Sequence, residues 1–506
     1  MVKYYSQAKL VNKDVERNEN GGYLFLQQIY HKLKIDEICE NINTKYSHKY
    51  DLNEIMKSLI YTRIIYPSSK LKSYELSASF IEKPNYNIDD LYRALDLINK
   101  EDDYIQAALY KNSLKYTKRN DKILFYDCTN FYFEIEEDDD FRKYGKSKEN
   151  RPNPLVGMGL FMDGDGIPLA FSTFPGNTNE QITLKPLEKQ IIKDFELSRF
   201  VVSTDAGLSS TTNRRFNDIS DRAFITTQSL KQTKKFIKNW ALDLSSGWRL
   251  PGSNKYYDIS SFKRASEIDD SLINNTYYKE RWIKENDIEQ RIIVTFSPKY
   301  MFYQQKIRNE QVNRAIKVIE RNPKTIETRN QNDPKRFIKS VAITEDGVVA
   351  EETHHHIDQS VIDKESVYDG LYAVCTNLED DVEKIIEINK RRWQIEDLFR
   401  LMKTEFKSRP VYLSKEERIK AHFTTCFLAV TLFRFLEKKL NHKYTHSEII
   451  STLRNYNFLN DNGDYIPTYK RTDITDYMHD TFGFRTDYEI NSERNIKKII
   501  AGTKKQ

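Results

Sequence analysis

Cysteine is scarce in this 506-residue chain: Cys39, Cys128, Cys375 and Cys426 lie far apart, with no C-x-x-C pair. That spacing excludes a disulfide framework and a thiolate zinc site, and a reducing cytoplasm is the expected compartment. Long apolar runs are lacking too. The longest, Cys426 to Phe433, meets Arg434 well before the roughly 20 residues a bilayer requires. The opening Met-Val-Lys-Tyr-Tyr-Ser leads into no apolar signal region, so no export route is expected. Neither charge sign dominates: 80 basic and 75 acidic residues leave +5, a balance that permits a nucleic-acid partner without requiring one. There is no internal repeat and no low-complexity linker. What is present, 31% charged, 39% hydrophobic and 12% aromatic residues, describes a globular chain, neither a disordered polyelectrolyte nor a membrane-embedded protein. At roughly 150 residues per domain the length suggests about three folding units.

The first 118 residues read as a helical region. Leu52, Ile55, Met56, Leu59, Ile60 and Ile64 recur at helical spacing until Pro67 ends the pattern, and Ile88, Leu91, Tyr92, Leu95 and Ile98 mark another helix. Pro67-Ser-Ser-Lys70 between them is a turn or helix start, an arrangement that suits either a helix-turn-helix DNA-binding module or an ordinary helical domain. From residue 119 the pattern changes. Lys122 to Phe133 is β-branched and aromatic, and Leu155 to Phe161 and Pro168 to Thr173 flank the turn-forming Asp163-Gly-Asp-Gly166. Leu184, Leu187, Ile191 and Phe195 share a helix face, and Arg199 to Thr204 is a short strand ending at Asp205. The order β-β-β-α-β is the first half of a ribonuclease H-like mixed sheet flanked by helices, an α/β fold. Residues 119–230 are read as that first half and 231–365 as an inserted, mostly β domain. Residues 366–440 carry the second half, with a strand at Gly370 to Thr376 and long helical patterns from about Leu378 to Lys407 and Lys415 to Leu440; 441–506 form a helical, basic C-terminal region.

Three carboxylates stand out. Asp127 interrupts an apolar strand between Tyr126 and Cys128, where an unpaired charge is costly and asks for a cation, a strong hydrogen bond or solvent. Asp205 follows a strand and precedes Ala206-Gly207, and taken alone such a residue is more often structural or part of a turn than a ligand. On one continuous helix Glu396 falls at the edge of a buried stripe made by Ile388, Ile395, Phe399 and Phe406, flanked by Arg392 and Lys403; the competing reading is an i, i+4 ion pair with Arg392 on a solvated face. Three acids from separate elements are the set that two-metal phosphoryl chemistry requires, with two cations roughly 4 Å apart and no protein nucleophile. The stretch from Arg391 to Lys420 has nine basic and five acidic residues, a stripe that suits a DNA backbone. His354-His-His356 is expected to be a polar loop, since adjacent side chains do not share a helix face.

At these residues the chain resembles the DDE transposases of bacterial insertion sequences, in particular the group with a mostly β insertion between the second Asp and the Glu. Arg392, Glu396 and Lys403 fit the R-x3-E-x6-K part of the group's Y-x2-R-x3-E-x6-K signature, while Asn389 stands at the tyrosine position. Tyr144-Gly-Lys-Ser-Lys148 with Glu149-Asn-Arg151-Pro152 is similar to a G-x-S-K-D/E-x-R-P segment, and Gly166-Ile-Pro168, Pro175-Gly-Asn177, Asp369-Gly370 and Thr376-Asn377 fit further stations from about residue 50 to 440.

The resemblance implies a transposase that binds the terminal inverted repeats of its element, cleaves DNA and transfers 3′-hydroxyl ends to target DNA. It implies Asp127, Asp205 and Glu396 as catalytic ligands of two Mg2+ or Mn2+ ions, and Arg392, Lys403, Arg400, Lys148 and Arg151 as DNA contacts. Trp240, Trp248 and Trp282 in the inserted segment are candidates for stacking an extruded base. Partners are double-stranded DNA and a second copy of the chain on DNA, in a bacterial cytoplasm at the nucleoid. The alternatives are a structure-specific nuclease without strand transfer, or a catalytically decayed DNA-binding relative.

Overall fold

Proline and short polar residues punctuate the N-terminal third of the chain, and the helices begin and end where they fall. The computed structural model describes residues 17–46, 48–264, 269–321, 332–343 and 352–505, and the chain forms two compact units, Met1–Ser203 with Lys390–Gln506, and Thr204–Asn389.

The first unit opens with strand β1 (Asn18–Asn20) and six helices: α1 (Tyr23–Lys32), α2 (Ile35–Lys45), α3 (Leu52–Ile65), α4 (Lys70–Ser77), α5 (Ile88–Lys100) and α6 (Asp102–Tyr116). Asp51 caps α3 through Asn53 N at 2.8 Å, Ser69 caps α4 through Lys72 N at 3.2 Å, and Asn87 and Asp90 form a capping box at α5. Strands β2 (Ile123–Tyr132), β3 (Leu155–Asp163) and β4 (Pro168–Pro175) follow, then α7 (Leu184–Asp194) and β5 (Val201–Thr204), at whose last residue the second unit begins. β2, β3 and β4 are successively antiparallel, and β5 runs parallel to β2 with Ile123 opposite Val201 and Phe125 opposite Ser203. This β4-β3-β2-β5 order is the ribonuclease H-like half-sheet expected from the sequence.

In the second unit the elements are α8 (Thr211–Phe216), β6 (Ala223–Thr227), α9 (Lys235–Leu242), β7 (Trp248–Arg249), β8 (Tyr256–Tyr257), α10 (Asp270–Ile273), β9 (Tyr277–Glu285), β10 (Ile288–Phe296), α11 (Pro298–Arg321), β11 (Ile338–Ile343), β12 (Glu352–Ile357), α12 (Gln359–Ser366), β13 (Leu371–Thr376) and α13 (Val382–Lys390), which ends at the boundary. Strands order as β6-β13-β10-β9-β7-β8, antiparallel throughout, and β11 and β12 pair separately. Their core is Trp248, Tyr277, Ile292, Val294 and Phe296. Gly370 precedes β13 at φ +78°, and a Cβ there would lie 2.7 Å from the Phe296 ring, so both conformation and space call for glycine. The segment read as an insertion, 231–365, lies within this unit, and helices as well as strands build it. The three histidines lie not in a loop but on β12, alternating in direction, with His355 Nδ1 2.9 Å from Ser340 Oγ.

The chain returns to the first unit as α14 (Trp393–Thr404), α15 (Glu416–Lys439), α16 (His446–Asn455), β14 (Asn457–Asp461), β15 (Asp464–Pro467), α17 (Asp473–Phe482) and α18 (Glu493–Thr503). β14 pairs with both β1 and β15, tying the two chain ends of the unit together. α15 is the central helix, packed on α1, α3, α5 and β4. It is long and apolar enough to cross a membrane, but 89% of that stretch is buried inside the protein, as in the core helix of a globular unit.

Candidate active site

Asp127 sits midway along β2, half-buried between the buried Tyr126 and Cys128 and opposite Leu160 of β3. Its Oδ1 accepts from Cys128 N at 2.8 Å. The loop from 144 to 151 lies close by. Gly145 abuts the Gly176 carbonyl, leaving no room for a Cβ, and Asn130 of β2 fixes the segment by donating Nδ2 to Lys146 O at 2.9 Å and accepting Lys148 N at 3.2 Å. Lys148 Nζ donates to the Cys128 carbonyl and pairs with Glu180 Oε1 at 3.2 Å. Burial alone would lower the pKa of this ammonium, yet Asp127 and Glu180 outweigh it and raise the pKa above its ordinary value. Lys148 therefore stands as a cation beside Asp127. Arg151 lays its guanidinium over the Tyr132 ring at 5.1 Å.

Glu396 belongs to the first turn of α14, which packs against β2 through a buried stripe of Ile395, Leu398, Phe399, Leu401 and Met402. The single helix expected across 378–407 is in fact two. α13 stops at Lys390 and α14 restarts at Trp393. Gln394 N and Ile395 N bond back three residues rather than four, to Arg391 O and Arg392 O. Glu396 consequently faces outward, its side chain 65% exposed, with Arg392 Nη2 3.9 Å from Oε1, too far for a hydrogen bond. Among the described residues, Arg392 Nη1 is buried without a partner.

Lys403 does not flank Glu396 by an ion pair. Its Nζ pairs with Glu149 Oε1 at 2.9 Å and lies 5.3 Å from the Phe131 ring centroid, and Arg409 Nη1 takes Glu149 Oε2. Burial lowers the Lys403 pKa, and the opposing pull of Glu149 does not fully restore it. Arg400 is 73% exposed and pairs with Asp397, whose other oxygen accepts from Arg434 at 2.9 Å.

Asp205 follows β5 directly and caps a short 3-10 turn, Oδ1 accepting from Leu208 N at 3.0 Å; it is half-buried. Asn389, at the signature's tyrosine position, donates Nδ2 to the Tyr372 hydroxyl at 3.2 Å, so a phenol from β13 stands beside it. Of the stacking candidates, Trp248 is wholly buried with Nε1 donating to Asp243 O at 2.9 Å and presents no face, a correction to that expectation. Trp240 is half-buried beside Lys279, and Trp282 is 43% exposed.

Sequence reasoning missed Asn130, Glu180 and Arg409. Each acts on the 145–149 segment, whose glycine and lysines were the available signal. One further cluster of possible ligands, Asp476, His479 and Asp487, is engaged otherwise: Arg485 Nη2 holds both carboxylates at 2.8 Å.

No curated protein sequence matches the chain. Among solved structures, the piggyBac transposase synaptic complex with hairpin DNA, determined by cryo-EM, is 9% identical at a TM-score of 0.40, over 96% of this chain and 86% of that one, a likeness too distant to argue from. The sequence family described as a transposase DDE domain matches residues 118–432. That match spans well over half of the chain, from before Asp127 to beyond Lys403, and the protein belongs to the DDE-domain transposases.

Proposed function

We propose that this transposase cuts DNA at the ends of its element and joins the freed 3′-hydroxyls to target DNA, with Asp127, Asp205 and Glu396 as its metal-binding acids. The observation that carries the reading is Asp127, a carboxylate inside an otherwise buried strand, with a cationic Lys148 beside it and the helix of Glu396 packed against the same strand.

Transposases of this family work with divalent metal ions, and a set of carboxylate oxygens is the donor chemistry that suits Mg2+ or Mn2+. Two such ions, when bound, activate a water or 3′-hydroxyl and stabilise the departing oxygen. The chain's own part is orientation and charge. The backbone N–H of Cys128 fixes Asp127, that of Leu208 fixes Asp205, and Lys148, Arg151 and Arg392 supply cations for phosphate oxygens. Exposed Glu396 and Arg400 lie on the DNA-facing side of α14 in this reading, and Trp282, not Trp248, offers a ring for a displaced base.

Two copies act together on paired ends, in the cytoplasm at the nucleoid. Element ends labelled at both termini test the reading: wild-type protein with Mg2+ yields nicked and then joined product, and Asp127→Asn binds the ends without cutting them. Cleavage with no joining of pre-cut ends would favour a nuclease, and a monomeric active complex by light scattering would refute the pairing.

A further inference from the structure

The turn Pro67-Ser-Ser-Lys70 lies at the mouth of a cavity of about 630 Å3 in the first unit, well away in sequence from the three acids. Five cationic residues line it, Arg63, Lys70, Lys72, Lys407 and Arg409, and no aspartate or glutamate does. Two of these cations are spoken for at the rim, Lys72 by Glu75 at 2.9 Å and Arg409 by Glu149.

Lys70 is different. It is 5% exposed and, among the described residues, its Nζ makes no hydrogen bond and no ion pair. Below it Arg63, 2% exposed, donates to the carbonyls of Phe406, Lys407 and Ser68 at 3.1, 3.2 and 2.9 Å, which among the described residues leaves its Nε buried without a partner and its charge without a carboxylate. His422 on the floor offers no counter-charge: burial, then Lys70 and Arg63, hold it well below its ordinary pKa, so its ring stays neutral, and its Nε2 meets Ser408 O at 3.1 Å. Burial and the neighbouring Arg63 likewise press Lys70 down to about 7. A buried, unpaired ammonium next to a guanidinium is a standing cost that a bound anion removes. The start of α4 adds to this, because Ser69 takes Lys72 N and the earlier amides of that first turn remain available at the positive end of the helix.

We infer that this cavity binds a phosphate group of a DNA strand, with Lys70 and the first turn of α4 as its direct contacts. The rim favours a nucleotide over a bare ion. Tyr412 is 70% and Leu71 52% exposed there, and Tyr92 lines the same wall, so an aromatic and apolar lip borders the cationic floor. The size suits it too, since ligand sites commonly run from about 300 to 1,000 Å3. Arg409 joins this cavity to the catalytic region through Glu149 and Lys403. The choice of DNA as the carrier rests on the transposase reading; the anion site itself does not.

The test uses the full chain and Lys70→Met, which removes the buried charge and is expected to fold at least as stably as wild type. A second variant, Lys72→Glu, alters only an exposed rim position and puts a carboxylate at the mouth. Inorganic phosphate at millimolar concentration should raise the melting temperature of wild type and of Asp127→Asn alike, but not of Lys70→Met. Fluorescence anisotropy with short duplexes should show both pocket variants weakened about tenfold, with the slope of log K against log salt reduced by about one for Lys70→Met. A loss confined to duplexes with a 5′-phosphate assigns the site to a strand terminus, and an equal loss on 5′-hydroxyl duplexes assigns it to an internal phosphodiester. Unchanged phosphate and DNA binding in both variants would overturn the inference. Because Asp127→Asn keeps the pocket, failure of the catalytic assignment leaves these readings intact, and failure of the pocket leaves cleavage to be judged separately.

Discussion

Removing Arg119 should destabilise the first unit severely and in a pH-dependent way. Arg119 and Asp163 form an ion pair at 2.6 Å with side chains 1% and 0% exposed. The guanidinium also donates to Ser113 Oγ at 2.9 Å, Ile167 O at 3.2 Å and Pro168 O at 3.0 Å, and Asp163 Oδ1 accepts Asp165 N at 3.0 Å and Ile167 N at 2.9 Å. The pair thus locks the β3–β4 hairpin that lies beside β2. Arg119→Met leaves the carboxylate buried with two amide donors and no cation, for which about 3–5 kcal/mol is the expected cost. Arg119→Met/Asp163→Asn removes the orphaned charge and leaves mainly lost hydrogen bonds, about 1–2 kcal/mol, so the double variant should be the more stable by roughly 2 kcal/mol. Burial already raises Asp163 above the usual carboxylate range despite Arg119, and without the arginine it rises further. A carboxyl whose native pKa exceeds its unfolded value costs stability at pH above the native value, and the cost fades as pH falls through it. The deficit of Arg119→Met should therefore shrink as pH falls toward the ordinary carboxylate range. Urea denaturation gives these differences, and hydrogen exchange in β3 and β4 localises them. A single variant costing less than about 1 kcal/mol, or a double variant no better than the single, would refute the reasoning.

Glu149→Gln should free Lys403 and Arg409 from their shared carboxylate and speed amide exchange in α14, at about 1–2 kcal/mol given the partial exposure of the site; unchanged exchange in that helix contradicts the bridge. Trp248→Phe should cost about 1–3 kcal/mol through its lost hydrogen bond and packing, whereas exposed Trp282→Ala should stay within about 0.5 kcal/mol, a contrast that thermal melts can read. Arg485 beside Asp487 holds that carboxyl down to about 2, so its stabilisation is present above about pH 4 and lost as pH falls toward 2. Arg485→Met should flatten that acid limb of the stability profile, and an unaltered limb would discount the pair.

The half-sheet was legible because its signals are local. The β-branched and aromatic run in 122–133, the Asp163–Gly166 turn and the helix face from Leu184 to Phe195 each declare themselves within a dozen residues, and β2, β3, β4, α7 and β5 follow them. Periodicity could not show the break between α13 and α14. The apolar spacing runs on through Lys390–Arg392, and only the three-residue turn at Arg391 and Arg392 interrupts it. Nor could it show Glu149 as a bridge, since its partners lie 254 and 260 residues along the chain. Trp248 and Trp282 are the same residue type in the same stretch, and which one is buried depends on β7 and β9 packing against the rest of their unit. Asp127 was singled out by a local contradiction, a charge inside an apolar strand, and Lys148 and Asn130 beside it needed the folded loop.

The most direct test of the account measures divalent-metal binding and DNA cleavage in the same preparations of wild type, Asp127→Asn, Asp205→Asn and Glu396→Gln. The account predicts Mn2+ bound by wild type, detected by electron paramagnetic resonance, and weakened in all three variants, with cleavage of element ends falling by roughly 1,000-fold or more, the equivalent of about 4 kcal/mol, while end binding persists. Any one of the three variants cutting at the wild-type rate would contradict it.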